Sequence, residues 1–242
     1  MAAINISVFN QSTVVSDGDV SNVVNALQKQ VDKDFGPAWG VSVQLTFVPQ
    51  NQKPNPQYWW LVVLDNSDQA GALGYHDLTP AGLPIGKVFA ASDLQYKTSW
   101  SVTMSHELLE MLADPNINLT VFDEGPIGAR LYAYEVCDPC EDDSFGYKID
   151  GILVSDFVLP AWFESFRKPN STDFDFQKHV TAPLQLLNNG YISVNDLASG
   201  LGWLSMSASP NNARANPPSG SRRQRRTIPL SKRVLSQPPR DT

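Results

Sequence analysis

The chain has 242 residues, 42% of them hydrophobic, which is enough for one large domain or two small ones around a buried core. No apolar run approaches the roughly 18 residues of a membrane span, and the N-terminus lacks the basic and apolar regions of a cleaved signal peptide. Two cysteines exclude a disulfide framework and a four-cysteine zinc site. We therefore expect no membrane contact and a cytoplasmic or virion-associated protein.

The net charge of −7 is unevenly distributed, because residues 206–242 carry +7 and residues 1–205 carry −14. The C-terminal segment holds six of the 18 prolines and no aromatic residue, so it has little apolar surface to offset the entropy lost on ordering. We predict a disordered basic tail at 206–242. Its basic stretch at 214–233 either contacts an acidic partner or nucleic acid, or stays solvated.

Hydrophobic periodicity predicts alternating strands and helices in the first half of the chain. A helix is predicted over residues 20–34, with the Gly36-Pro37 pair as its end. The predicted strands are residues 4–9, 41–48, 58–64, 71–76 and 86–91.

The most regular helical pattern of the chain covers residues 99–113. Ser99 can cap its start, and Asp114-Pro115 stops it because a residue before proline is disfavoured in a helix. The elements predicted after it are short strands at 131–136, 147–150 and 152–157 and a helical turn at 160–166.

This helix contains the motif His106-Glu107-Leu108-Leu109-Glu110. Residues four apart share one face of a helix, so His106 and Glu110 project together, whereas Glu107 is offset by about 100°. The same logic governs the H-E-x-x-H helix, where the first and fifth positions bind zinc and the second is the general base. A carboxylate is a competent zinc ligand, so Glu110 can take the place of the second histidine.

The motif and the order of elements before it resemble the zincin-like metallopeptidases. The resemblance implies an α+β fold, in which an N-terminal mixed, twisted sheet and helices (residues 1–116) back the active-site helix. A smaller, irregular C-terminal part (residues 117–205) would supply the third metal ligand, and the two parts would form one catalytic domain over residues 1–205. The roles carried over are His106 as zinc ligand, Glu107 as base and Glu110 as substitute ligand.

A catalytic zinc has three protein ligands and a water, so one further ligand is needed. Glu135 and Asp138 are the leading candidates, since both follow the helix in the half where the resemblance places that ligand. Glu135 is our first choice, because a carboxylate within an apolar run is unfavourable to bury without a cation. Asp138 is the alternative. Asp114 would stretch three ligands over about 12 Å of one helix, so ending the helix is the expected role for it.

The other chemically interesting residues carry weaker signals. Tyr75 or His76 can stabilise an oxyanion if their strand borders the cleft, although a turn histidine without a role is the commoner case. Cys137 and Cys140 are either a redox pair or a buried couple, and proline between them favours the second. His179 has no partner visible in the sequence.

Two functions remain open. The first is a zinc-dependent hydrolase acting on a peptide or protein, with His106, Glu110 and Glu135 as ligands and Glu107 as catalytic base. The second is a non-catalytic structural or binding protein, for example a virion component, on the same scaffold. The absence of a second histidine from the motif favours the second function.

Overall fold

The computed structural model describes residues 3–68, 72–125 and 128–208. The helices are Asp17–Gln30 (α1), Gly36–Trp39 (α2), Ala90–Tyr96 (α3) and Trp100–Ala113 (α4). The strands are Ile4–Asn10 (β1), Val43–Val48 (β2), Trp59–Leu64 (β3), Gly74–Leu78 (β4), Pro84–Phe89 (β5), Thr120–Gly125 (β6), Gly128–Ala133 (β7), Tyr147–Ile149 (β8), Ile152–Val154 (β9), Tyr191–Asp196 (β10) and Trp203–Ser207 (β11). The fold is α+β, as predicted. Within the described ranges, none of the helices has the length and apolar character needed to cross a bilayer.

The N-terminal half is built on a five-stranded sheet in the order β2-β1-β3-β5-β4. Four of the strands are parallel, and β4 runs antiparallel to β5 at one edge. Ile6 on β1 and Leu61 and Val63 on β3 are fully buried, as expected for parallel strands covered on both faces. All five strands predicted for this half are present, with ends that differ by at most three residues.

The first helix begins and ends differently from the prediction. It starts at Asp17, because Ser16 forms a capping box with Asp19. The predicted end at Gly36-Pro37 is wrong: the chain continues through a π-helical turn at Val31–Phe35 into α2 and leaves the helix at Gly40, whose φ is 70°. Proline is tolerated here because it occupies the first turn of α2, where its missing N–H is not needed.

Helix α4 packs against the sheet at β4 and β5. A Cβ atom at Gly74 on β4 would lie 2.8 Å from Cγ of Glu107 and 2.7 Å from Cγ2 of Thr103, so only glycine lets α4 approach this closely. The helix ends at Asp114, as predicted, and the carboxylate of Asp114 accepts backbone N–H groups from Asn118 and Leu119. Asp114 therefore shapes the chain that leaves α4. Helix α3 was not predicted, because its residues continue the apolar run of β5.

The second half of the chain is more regular than predicted. Strands β11-β10-β7-β6 form an antiparallel sheet, and β8 and β9 form a separate pair. The predicted strands 131–136, 147–150 and 152–157 correspond to β7, β8 and β9, and the helical turn is a 3-10 turn at Pro160–Phe163. Strands β6, β10 and β11 were missed, since their polar residues, such as Asp123 and Glu124 in β6, disfavour strands.

One hydrophobic core joins the two halves. Phe35, which follows α1, meets Phe157 from the second half with ring centroids 5.1 Å apart. At the C-terminus, Met206 and Ser207 belong to β11, so the predicted tail boundary at 206 falls inside a strand. Residues 209–242, with the basic stretch 214–233, lie outside the described residues.

Candidate metal centre

Helix α4 carries the predicted motif into the protein interior. His106, Glu107 and Glu110 are 4%, 3% and 0% exposed, respectively. His106 and Glu110 lie one turn apart on the same face, while Leu108 and Met111 are fully buried in the core on another. The helix therefore presents a buried polar face, which has to be satisfied by groups from other elements.

The shortest contacts converge on the imidazole of His106. Its Nε2 atom is 3.2 Å from Glu110 Oε2 and 3.2 Å from Asp138 Oδ1. Glu110 Oε1 accepts the backbone N–H groups of Cys137 and Asp138, at 3.3 and 3.2 Å, which orients the second oxygen towards His106. One ligand atom from each of His106, Glu110 and Asp138, here called the His106 group, lies within 4.8 Å of the other two.

The protonation of the His106 group reflects its burial and its crowded charges. Burial, followed by the neighbouring Asp138 carboxylate, raises the pKa of Glu110 to about 7. Burial opposes the charged form of His106, but Glu110 and Asp138 outweigh it and raise the pKa of His106 well above its ordinary value. The carboxylates thus favour a positive charge beside them, and a metal cation can supply it.

Glu135, our first choice for the third ligand, is not a member of the His106 group. Its Oε2 atom is 3.9 Å from Nε2 of His76, with which it forms a second set, the His76 group, consisting of His76, Glu110 and Glu135. The alternative, Asp138, is the acid that contacts His106. Both residues follow β7 and are fully buried. The two sets share Glu110, and together with Glu107 they form what we call the α4 centre.

His76 is a member of this centre that the sequence did not predict. It lies on the edge strand β4, and its side chain is fully buried. Its Nδ1 atom is 3.5 Å from Glu107 Oε2 and 3.8 Å from Glu110 Oε2. His76 lies in a strand and not in a turn, so this part of the interpretation is wrong. Its neighbour Tyr75 instead directs its hydroxyl to Asp68, at 2.9 Å, away from the α4 centre.

The remaining member, Glu107, has a distinct position. Its Oε2 atom is buried and receives no hydrogen bond from any residue in the described part of the chain. Among the described residues, Glu107 belongs to neither of the two sets that converge closely enough to hold an ion. It therefore lies beside the candidate ligands, as the motif predicts for a base.

The two cysteines lie next to the centre but have little thiolate character. Cys137 and Cys140 are free thiols and are both buried. Burial raises the pKa of each thiol well above its ordinary value, and Glu110 and Asp156, respectively, add to the effect. This agrees with the prediction of a buried couple rather than a reactive redox pair.

A separate set of ligand types is formed by Asp156, Asp175 and His179, here called the Asp156 group. Nδ1 of His179 is 3.6 Å from both carboxylates, which are partners that the sequence did not reveal. Burial and the adjacent Asp175 raise the pKa of Asp156 to about 9. The third histidine of the chain thus also faces two acids, but in a half-exposed position.

Comparison of this chain with protein-family models, curated proteins and solved structures finds no match. The resemblance to zincin-like metallopeptidases therefore depends on the H-E-x-x-E helix and on the order of elements around it.

Proposed function

We propose that this protein is a metal-dependent hydrolase of the zincin-like type, with a peptide or protein as its substrate. The observation that carries the proposal is the convergence of His106 Nε2, Glu110 Oε2 and Asp138 Oδ1, with contacts of 3.2 Å from the histidine to each acid. One imidazole and two carboxylates form a competent zinc ligand set.

The surroundings of the His106 group support a bound cation. Two neighbouring carboxylates repel each other, and the Asp138 carboxylate helps to raise the pKa of Glu110 to about 7. The backbone N–H groups that hold Glu110 Oε1 fix the orientation of the side chain, which is the role that outer-shell hydrogen bonds have around metal ligands. The group therefore fits Zn²⁺ in both charge and preorganisation.

We assign the third ligand to Asp138 and not to Glu135. Asp138 contacts His106 directly, and its own backbone N–H donates to Glu110, so the three side chains form one connected unit. Glu135 faces His76 instead. With Asp138 in place of Glu135, the ligand set still consists of one histidine and two acids, as predicted.

Glu107 is the proposed general base. A zinc ion bound to the His106 group would lower the pKa of a coordinated water and polarise the scissile carbonyl. Glu107 Oε2, which receives no hydrogen bond from the described residues, is available to accept a proton and return it to the leaving amine. His76 Nδ1 lies 3.5 Å from this carboxylate, on the side of the sheet.

One observation favours a second candidate function. The side chains of His106 and Glu107 are only 5% and 4% exposed, and those of His76, Glu110 and Asp138 are not exposed. Closed metal sites are typical of structural ions, whereas catalytic sites keep an open position. A non-catalytic binding or virion protein that uses the ion for stability is therefore the alternative proposal.

The substitution Glu107→Gln separates the two functions. In the hydrolase, this variant keeps its zinc but loses hydrolysis of a casein or peptide substrate by about 10²-fold or more, because the base is removed. Mass spectrometry measures whether the zinc is retained. Turnover of a fluorogenic peptide library measures whether hydrolysis is lost. Glu124→Gln, in the half-exposed strand β6, is the matched control and should leave both unchanged. Undiminished turnover in Glu107→Gln would contradict the proposed mechanism.

A further inference from the structure

The buried imidazole of His76 lacks the hydrogen bonds that its position requires. Its side chain has no exposed surface, and neither Nδ1 nor Nε2 makes a hydrogen bond to any described residue. An imidazole has two polar nitrogens, and burying them without partners is unfavourable. The absence of such partners indicates that another group interacts with this side chain in the functional protein.

The neighbours of His76 define the chemistry of that group. Carboxylate oxygens lie 3.5 Å (Glu107) and 3.8 Å (Glu110) from Nδ1, and the Glu135 oxygen lies 3.9 Å from Nε2. These distances exceed the usual N···O hydrogen bond of about 2.7–3.2 Å. Nδ1 and Nε2 point in different directions, so one ion is bound through only one of them. A distance of 3.8 Å from Nδ1 to Glu110 or 3.9 Å from Nε2 to Glu135 suits two ligands of one ion, each about 2.0–2.2 Å from zinc. The surroundings are therefore those of a cation site.

We propose that His76, Glu110 and Glu135 bind a second divalent cation, so that Glu110 is shared by two ions in the α4 centre. The three residues each place one ligand atom within 4.8 Å of the others. Glu110 Oε2 faces both histidines, at 3.2 Å from His106 and 3.8 Å from His76. The proposal rests on the first ion of the proposed function, which occupies the His106 group.

The charges of the α4 centre support a second ion. Four buried carboxylates, from Glu107, Glu110, Glu135 and Asp138, have side chains at most 4% exposed. One divalent ion compensates two of these charges, and a second compensates the other two. Buried charges that remain uncompensated are strongly unfavourable. Two divalent ions would balance the four carboxylates of this centre, with His76 and His106 as neutral ligands.

The arrangement has a chemical consequence for the proposed hydrolase. Two ions that share a carboxylate lie about 3.5–4 Å apart in known hydrolytic centres, where they stabilise both the attacking and the leaving oxygen. Within this centre, Glu107 lies beside His76, so the base would face the second ion as well. The second ion would make the centre suitable for substrates whose leaving group needs its own charge stabilisation.

The number of ions per chain tests the proposal. The full chain is saturated with Zn²⁺, separated from free metal by gel filtration, and analysed by mass spectrometry. We expect two zinc ions in the wild type, one in Glu135→Gln and one in His76→Ala. Glu135→Gln keeps the size of the side chain, so it remains informative even if His76→Ala does not fold. Loading with Mn²⁺ should give an electron paramagnetic resonance spectrum with spin coupling between two ions, and Glu135→Gln should abolish the coupling.

The control variant is His179→Ala, which changes the third histidine in a position where its side chain is 40% exposed. It should retain two ions. If the wild type binds one ion and Glu135→Gln retains it, the second site is overturned, whereas the ion in the His106 group is not. Two ions of which one is lost in His179→Ala would place the second ion in the Asp156 group and also overturn the proposal. Two coupled ions without hydrolysis would instead contradict the proposed function alone.

Discussion

The α4 centre and the Asp156 group contain the same residue types but differ in burial and charge. In the Asp156 group, His179 is 40% exposed, and backbone N–H groups donate to Asp156 Oδ1 and to both oxygens of Asp175. In the α4 centre, two histidines with side chains at most 5% exposed lie among buried carboxylates. One proton satisfies the first set, since the pKa of Asp156 is raised to about 9. The second set holds four buried carboxylates and two histidines.

The comparison shows that the demand for a cation is set by the number of buried charges and not by the residue types alone. Backbone donors can stabilise two carboxylates at a loop, as they do for Asp156 and Asp175. Four buried carboxylates around one helix need positive charge that the polypeptide of the α4 centre supplies only through His76 and His106. We therefore expect the two regions to respond differently to metal removal, to packing changes and to pH.

The largest expected effect is that of metal removal. Chelation with EDTA should lower the melting temperature of the wild type, and zinc should restore it. A ligand at a thousandfold excess over Kd stabilises a protein by about 4 kcal/mol. Asp138→Asn should abolish most of this response, because it weakens a ligand of the His106 group. Asp156→Asn should keep it. If Asp156→Asn lost the zinc response while Asp138→Asn kept it, the stabilising ion would lie in the Asp156 group and not in the α4 centre.

A smaller effect is expected from the packing of the α4 centre. Gly74→Ala places a Cβ atom 2.8 Å from Cγ of Glu107, so it should destabilise the fold by about 1–3 kcal/mol and weaken zinc binding. Gly18→Ala is the matched control, because its Cβ would lie 3.5 Å from Ser16 Oγ on the exposed side of α1, and alanine favours helices. Urea unfolding of both variants measures the difference. Equal stability would show that the strand and the helix are less closely packed than described.

The third prediction concerns pH and the Asp156 group. Folded Asp156 keeps its proton up to about pH 9, whereas the ordinary aspartate value is 3.8. The folded state therefore binds more protons between these values, so the stability of the wild type falls as the pH rises through this window. Asp156→Asn removes this contribution and should show a shallower decline between pH 5 and 9, measured by urea unfolding in EDTA. Identical pH profiles would mean that Asp156 is ionised in the folded protein.

The parts of the centre that the sequence could predict are those set by local geometry. The helical repeat alone places His106 and Glu110 on one face and Glu107 beside them. It cannot decide between Glu135 and Asp138. Glu135 lies in irregular chain after β7, and Asp138 begins a 3-10 turn, so their side-chain directions do not follow from a regular repeat. The backbone hydrogen bonds from Cys137 and Asp138 to Glu110 hold this part of the chain beside His106, and our choice of Asp138 depends on them.

The sequence could not place His76 beside Glu107 and Glu110, because this position depends on long-range strand pairing. Its strand joins the sheet only through β5, where His76 pairs with Gly86, and it reaches α4 because glycine at position 74 allows close approach. Strand β6 was missed because of its local pattern. Residues of β6 alternate between exposed and half-buried, so they lack the apolar alternation that marks a strand in a sequence.

The most direct test of the central claim is a crystal structure of the full chain grown with zinc, with anomalous data collected at the zinc absorption edge. The proposed function predicts a strong anomalous peak within about 2.3 Å of His106 Nε2, Glu110 Oε2 and Asp138 Oδ1, as expected for zinc bound by imidazole and carboxylates. An α4 centre without anomalous density, beside a zinc ion bound by Asp156, Asp175 and His179, would contradict the account.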